Sequence, residues 1–259
     1  MFNTSLKNFS IFYCKNNKAF SLVEISLVII AVGIILSIWF NAIVLIKNVR
    51  IKSVIKQIRE YNIAVDNFES KYGALPGDIN KTVLFGLSEK ETNGDLNGNI
   101  EDSLGFKKDN DIVNNSIKQF SGEIANFWLH LSNSEFLPGR FDGKIGTNAI
   151  LKKSFPSSKL SKVGIVAFGI QGINYFQIGL SSNNNVSMRF TDFALRPLEA
   201  FVIDKKLDDG FPLTGLVRAV GGDDLLLGHL NVNKNCVNLF EYNIKLEKPF
   251  CQLRIVINK

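Results

Sequence analysis

No charged residue occurs between Ile25 and Ile46, and no acidic residue precedes Glu24. Proline is absent from Phe20 to Tyr72, and Gly33 is the only glycine there, so nothing in that stretch interrupts a helix. Histidine is scarce. His130 and His229 are the only two in 259 residues, and neither stands at a metal-ligand spacing from another histidine or a cysteine. There is no Gly-Lys-Ser/Thr phosphate loop, nucleophile elbow or zinc motif. These absences argue against an enzyme, and none is expected. The net charge is +6, but Lys7, Lys15 and Lys18 supply half of it, so the chain beyond Ala19 carries only +3. A solvated surface accounts for that excess, and nucleic acid is not an expected partner.

The uncharged run from Ile25 to Ile46 has 22 residues. At a helical rise of ~1.5 Å per residue it spans roughly 33 Å, enough to cross a bilayer. Glu24 stands at its head. A carboxylate beside such a span costs about 2.5–3.5 kcal/mol or more near the bilayer centre, so Glu24 requires a partner or a task. Lys18-Ala19 lies directly before Phe20. A secretory signal places its small-residue cleavage site after the apolar run. Here the small residue precedes it, and cleavage after Ala19 leaves the apolar helix on the mature chain.

Lys18-Ala19, Phe20, Ser21-Leu22-Val23, Glu24 and the apolar run together resemble the leader of type IV prepilins and type II secretion pseudopilins. The resemblance implies that a membrane-embedded prepilin peptidase cuts between Ala19 and Phe20 and methylates the new Phe20 amine. Glu24 then matches the family's glutamate, fifth in the mature chain, which serves assembly. One departure is Ala19, where the family usually has glycine. Lys47, Arg50, Lys52, Lys56 and Arg59 follow the span and rival the leader's lysines, so loop charge does not fix orientation. The resemblance implies a single pass through the inner membrane, with the N-terminus cytoplasmic and the globular domain in the periplasm. Other pilin or pseudopilin subunits and an inner-membrane assembly platform are the further implied partners.

Beyond the span, Ile51, Val54, Ile58, Tyr61, Val65, Phe68 and Tyr72 recur at steps of three and four, one face of a continuing helix. The expected organisation is a leader over 1–19, a long helix over 20–72 and a globular domain over 73–259. The helix divides into a membrane-spanning part, 20–46, and an amphipathic part, 47–72. Gly73 and Pro76 end it. A polar region runs to about Gln119, with 107–118 read as an insertion. A short amphipathic helix covers Glu123 to Leu131, and Gly164–Ile170 with Asn174–Leu180 predicts a β-hairpin. Arg196-Pro197 opens a helix that reaches Leu207. Val217–Val220, Val237–Ile244 and Gln252–Ile257 are expected strands. The expected fold class is α+β and pilin-like: a long N-terminal transmembrane helix packed on an antiparallel sheet. Scattered matches extend the resemblance to some large pilin-like proteins: Leu75-Pro76-Gly77-Asp78, the segment 93–101, Trp128-Leu129-His130-Leu131, Ile203 to Gly210, and two late cysteines.

Asn93, Asp95, Asn97 and Asn99 alternate as oxygen donors, with Gly98 at a turn position and Ile100 as an apolar anchor, like the first part of a calcium loop. The closing bidentate glutamate is missing, since Leu104 stands there. Calcium is therefore one reading and a plain Asn-Gly turn the other. No other cofactor is expected. Asp204, Asp208 and Asp209, and likewise Asp223 and Asp224, read more simply as helix-end and turn residues. His130, beside Trp128, reads as a satisfied, semi-buried side chain. With the domain in an oxidising compartment, Cys236 and Cys251 form an even pair once Cys14 leaves with the leader, and a disulfide between them contributes about 3 kcal/mol. Two buried free thiols are the alternative. The reading as a whole is a structural pilin-like subunit, a pseudopilin or minor pilin of a type II secretion or type IV pilus system, assembled into a filament through its apolar helix. Its rival is a signal-anchored periplasmic binding protein in which Glu24 is incidental.

Overall fold

The computed structural model describes residues 21–80, 82–85, 93–101, 120–160, 163–170, 172–180, 193–220 and 234–257. Ala19, Phe20, the segment 107–118, Asp223, Asp224 and His229 lie outside them. The chain divides into two units, Met1–Lys47 and Asn48–Lys259. Helix α1 spans Leu22–Tyr72 and supplies residues to both.

In the first unit, the 18 residues Leu22–Trp39 are apolar and long enough to cross a membrane, and none of them is buried. Leu22, Leu27, Ile29, Ile35 and Trp39 all stand exposed. Branched and aromatic side chains on every face of a helix suit lipid or another helix, because water solvates none of them.

The second unit is α+β, and α1 enters its core. Ile51, Val54, Ile55, Ile58, Tyr61, Ala64, Val65 and Phe68 are buried, while Lys52, Lys56, Arg59 and Glu60 face solvent. Gln57 is buried among them and pins the helix to the segment beyond it. Its Nε2 donates to the Ser157 carbonyl at 2.9 Å and to Tyr61 Oη at 2.7 Å, and its Oε1 accepts the Lys159 N–H at 3.0 Å. Helix α2, Gly122–Asn133, follows, and helix α3, Pro197–Leu207, starts with proline in its first turn. The Glu199 carboxylate accepts the Arg196 N–H at 2.9 Å and so closes the start of α3.

The sheet is antiparallel. Strands β1 (Gly164–Ile170), β2 (Ile173–Leu180), β3 (Val217–Val220) and β6 (Gln252–Val256) lie in the order β1-β2-β6-β3. Phe176, Ile255 and Val217 form one cross-strand row and point into the core, as do Ile178, Leu253 and Ala219. Tyr61 of α1, Phe127 and Trp128 of α2, and Phe176 of β2 meet in one aromatic cluster. The Tyr61 and Trp128 rings lie 4.8 Å apart, edge to face, and Trp128 lies 6.0 Å from Phe176.

One expected strand is not continuous. Val237 to Ile244 folds instead into a hairpin of two short strands, β4 (Val237–Asn238) and β5 (Glu241–Tyr242). The turn is Leu239-Phe240, with Leu239 at φ +59°. Two attachments force the reversal. Cys236 is disulfide-bonded to Cys251, Cα atoms 5.1 Å apart, so the segment between them must double back. Tyr242 is drawn inward, where its hydroxyl donates to Asp204 Oδ2 at 2.6 Å.

Candidate functional site

The first candidate is the head of α1. The Ser21 carbonyl accepts the Ile25 N–H at 3.2 Å, the first bond of the helix. The Ser21 hydroxyl oxygen accepts the Val23 N–H at 3.3 Å, and Glu24 Oε2 accepts the Ser21 N–H at 2.9 Å. Ser21-x-x-Glu24 is thus a reciprocal cap, the serine serving the first turn and the glutamate serving the serine. The cap gives Glu24 a partner within its own chain, satisfying part of the requirement raised by a carboxylate at the head of an apolar helix. The negative charge also sits at the positive end of the helix dipole, where it is stabilised by about 0.3–1 kcal/mol.

The second candidate is a corner of carboxylates that local sequence reasoning did not assemble. Asp78, Asp95 and Glu123 each bring an oxygen to within 4.8 Å of the others. Asp78 ends the Leu75-Pro76-Gly77 turn after α1, Asp95 belongs to the 93–101 segment, and Glu123 stands in the first turn of α2. Two glycines allow this approach. Gly77 has φ +92°, and a Cβ there would meet the Glu123 carbonyl oxygen at 2.5 Å; a Cβ on Gly94 would meet the Asp78 Cα at 2.4 Å. The Gly77 N–H also donates to His130 Nδ1 at 2.9 Å, which fixes the turn against α2 and places the proton of a neutral His130 on Nε2. His130 is fully buried, with its ring parallel to that of Phe68 at 6.3 Å.

Backbone N–H groups hold each carboxylate. Asp78 accepts from Asn97 at 3.2 Å and from Gly98 at 2.8 Å. Glu123 accepts from Asp95 at 3.1 Å and from Glu101 at 3.0 Å. Asn174 of β2 anchors the segment from the other side, accepting the Ile100 N–H and donating to the Gly98 carbonyl, both at 2.9 Å. Burial raises the Glu123 carboxyl to about 8 against the N–H groups that oppose the shift, with the Asp78 and Asp95 charges adding to the rise. Burial raises Asp78 in the same direction. Such a corner either keeps a proton or takes a cation, and Asp78, Asp95 and Glu123 are the three side chains whose oxygens can reach one ion.

Of the four residues expected as calcium ligands, only Asp95 belongs to that triad. Asn93 Oδ1 accepts from the Thr82 N–H and hydroxyl. Asn97 Nδ2 donates to Asp95 Oδ2 and Glu101 Oε2 at 3.0 and 3.1 Å, and Asn97 Oδ1 accepts the Asn99 N–H at 2.7 Å. The Asn99 side-chain oxygen is buried. Asp204, Asp208 and Asp209 also converge to within 4.8 Å, and each already accepts hydrogen bonds from nearby turn or side-chain groups. Asp204 takes the Gly210 N–H and the Tyr242 hydroxyl, Asp209 takes Phe211 N–H and Thr214 Oγ1, and Asp208 takes the Leu216 and Val217 N–H groups. Burial raises the Asp204 carboxyl to about 6.

The fold and site therefore define an α+β protein with, among the described residues, one apolar helix able to cross a membrane, a disulfide-bonded hairpin and an acidic corner formed by Asp78, Asp95 and Glu123. Comparison with protein-family models, curated proteins and solved structures finds no match to this chain.

Proposed function

We propose that this chain is a pilin-like structural subunit, a pseudopilin or minor pilin of a type II secretion or type IV pilus system. It is held in the inner membrane, trimmed by prepilin peptidase between Ala19 and Phe20, and assembled into a filament through its apolar helix. The observation that carries this reading is the double use of α1. Leu22–Trp39 is apolar on every face and free of burial, while Ile51 to Phe68 of the same helix builds the core of the folded domain. A helix of that kind can leave lipid for the company of its own copies without disturbing the domain, since van der Waals contact between helices replaces contact with acyl chains.

Glu24 is the one charge within that span, and in an assembled filament it accepts the Phe20 ammonium of a neighbouring subunit. Inside an apolar filament the pair offsets part of two desolvation costs and fixes axial register. The intact mass or N-terminal sequence of membrane-extracted protein tests the reading. A start at Phe20, methylated or not, supports it; retention of Met1 overturns it in favour of an anchored binding protein. Ala19→Leu should block the cut while leaving membrane insertion intact, because a pocket that takes Gly or Ala has no room for a larger side chain.

A further inference from the structure

The 93–101 segment holds one peptide in an arrangement suited to reaction with itself. We propose that Asn97 is a self-modifying site, at which the folded chain converts the side-chain amide to a carboxylate through a cyclic imide with Gly98. Four hydrogen bonds carry the inference. The nucleophile is the Gly98 backbone nitrogen, whose N–H donates to Asp78 Oδ2 at 2.8 Å, so a carboxylate base stands on the proton to be lost. The electrophile is Asn97 Cγ, whose oxygen accepts the Asn99 N–H at 2.7 Å, so charge developing on Oδ1 meets a fixed donor. That bond closes a side-chain turn from Asn97 to Asn99, and Gly98 N lies within the ring it closes. The leaving group is Asn97 Nδ2, which already donates to Asp95 Oδ2 at 3.0 Å and Glu101 Oε2 at 3.1 Å, two carboxylates that hold the departing nitrogen. Gly98 has no Cβ to obstruct the ring closure.

The step balances without a redox partner. The Gly98 N–Cγ bond forms as the amide proton passes to Asp78, and the Cγ–Nδ2 bond breaks as Nδ2 takes that proton and leaves as ammonia. Water then opens the imide at either carbonyl, giving aspartate or isoaspartate at position 97. The net change is amide plus water to carboxylate plus ammonium, the released ammonia taking the proton of the new carboxylic acid, and it adds a carboxylate beside Asp78, Asp95, Glu101 and Glu123. Asn93-Gly94 is a control within the same chain. Its side-chain oxygen is also hydrogen-bonded, but the Gly94 N–H donates to the Ile79 carbonyl at 2.8 Å, which is no base.

The test is peptide mapping by mass spectrometry of the full chain in detergent, aged at neutral pH, beside the same chain aged in urea. Digestion at acid pH keeps imide formation out of the work-up. The expected result is a one-dalton gain at Asn97 that accumulates severalfold faster in the folded chain than in urea, with isoaspartate labelling by isoaspartyl methyltransferase at that peptide and Asn93 lagging behind. Asp78→Asn should remove most of the folded-state advantage. Should that variant fail to fold, the comparison of folded parent with urea decides alone. The proposal is overturned if Asn97 ages no faster folded than in urea, if Asn93 ages as fast as Asn97, or if a folded Asp78→Asn chain keeps the parent's rate.

Discussion

Glu123 is a buried acid whose charged form the fold disfavours. Its carboxyl titrates near 8 in the native chain against an ordinary value of 4.5. Between those values the native state binds a proton that the unfolded chain has released, so stability is greatest below pH 4.5 and falls as pH rises toward 8. Asp204, raised from 3.8 to about 6, adds a fall of the same sign at lower pH. The melting temperature should therefore drop between pH 5 and pH 8, by the equivalent of a few kcal/mol. Glu123→Gln should flatten that profile while lowering its acid end, since an amide offers one acceptor oxygen where two N–H groups need one. A parent whose melting temperature is level across this range would contradict the assignment. A steric prediction concerns Gly94. A Cβ there lies 2.4 Å from both the carbonyl carbon and the Cα of Asp78, which cannot yield as a flexible side chain can. Gly94→Ala should cost on the order of 1–3 kcal/mol, the range of core overpacking, measured by denaturant titration. Neither effect was legible in the sequence. Asp78, Asp95 and Glu123 are separated by 17 and 28 positions, and each one locally reads as a turn or helix-start residue; only the packing of three elements makes them neighbours.

At the level of elements, periodicity fixed the helices and most strands because the information there is local. The steps of three and four from Ile51 to Phe68 became the buried face of α1, and Pro197 opens α3 as its fixed φ requires. The exception, Val237 to Ile244, carries strand formers at Val237, Phe240, Tyr242 and Ile244, but a disulfide at one end and a buried tyrosine hydroxyl at the other impose a reversal that propensity does not encode. The cap of α1 allows the acceptor and charge roles of Glu24 to be separated. Gln at position 24 can still accept the Ser21 N–H through its amide oxygen, whereas Ala cannot. Glu24→Gln should preserve the helix start, read as slow exchange of the Ser21 amide in detergent, yet fail in filament assembly because the charge is gone. Glu24→Ala should lose both. Assembly by Glu24→Gln at the parent's level would show that the cap alone matters. A second elemental prediction lies where α1, α2 and β2 meet. Trp128 is fully buried, and among the described residues its Nε1 has no hydrogen-bond partner. Trp128→Phe removes that unsatisfied donor along with some volume, and should cost about 1–3 kcal/mol, less than the 3–5 kcal/mol expected for Trp128→Ala.

At the scale of the whole molecule, the division into units predicts where the chain can be shortened. The second unit begins at Asn48, within α1, and not at Gly73 where the helix ends. A chain starting at Asn48 keeps Ile51, Val54, Ile58, Tyr61, Val65 and Phe68, together with Gln57 and its bonds to Ser157 and Lys159. Of the residues it loses, Leu22–Trp39 buries nothing. Such a chain should fold cooperatively in water and keep the Cys236–Cys251 disulfide. A chain starting at Gly73 loses those six side chains. At about 1.5–3 kcal/mol for each large apolar side chain fully buried, their combined loss is on the order of 10 kcal/mol. That matches or exceeds the whole stability of an ordinary domain, about 5–15 kcal/mol. It should expose the aromatic cluster around Trp128 and Phe176 and aggregate. Circular dichroism melts and size-exclusion chromatography distinguish the two, and the full chain serves as the reference in detergent because its first unit presents apolar side chains on every face. If the shorter chain melts as the longer one does, the amphipathic half of α1 is an accessory to the domain and not part of its core. The proposal that one helix serves both the bilayer and the domain would then lose the observation that carries it.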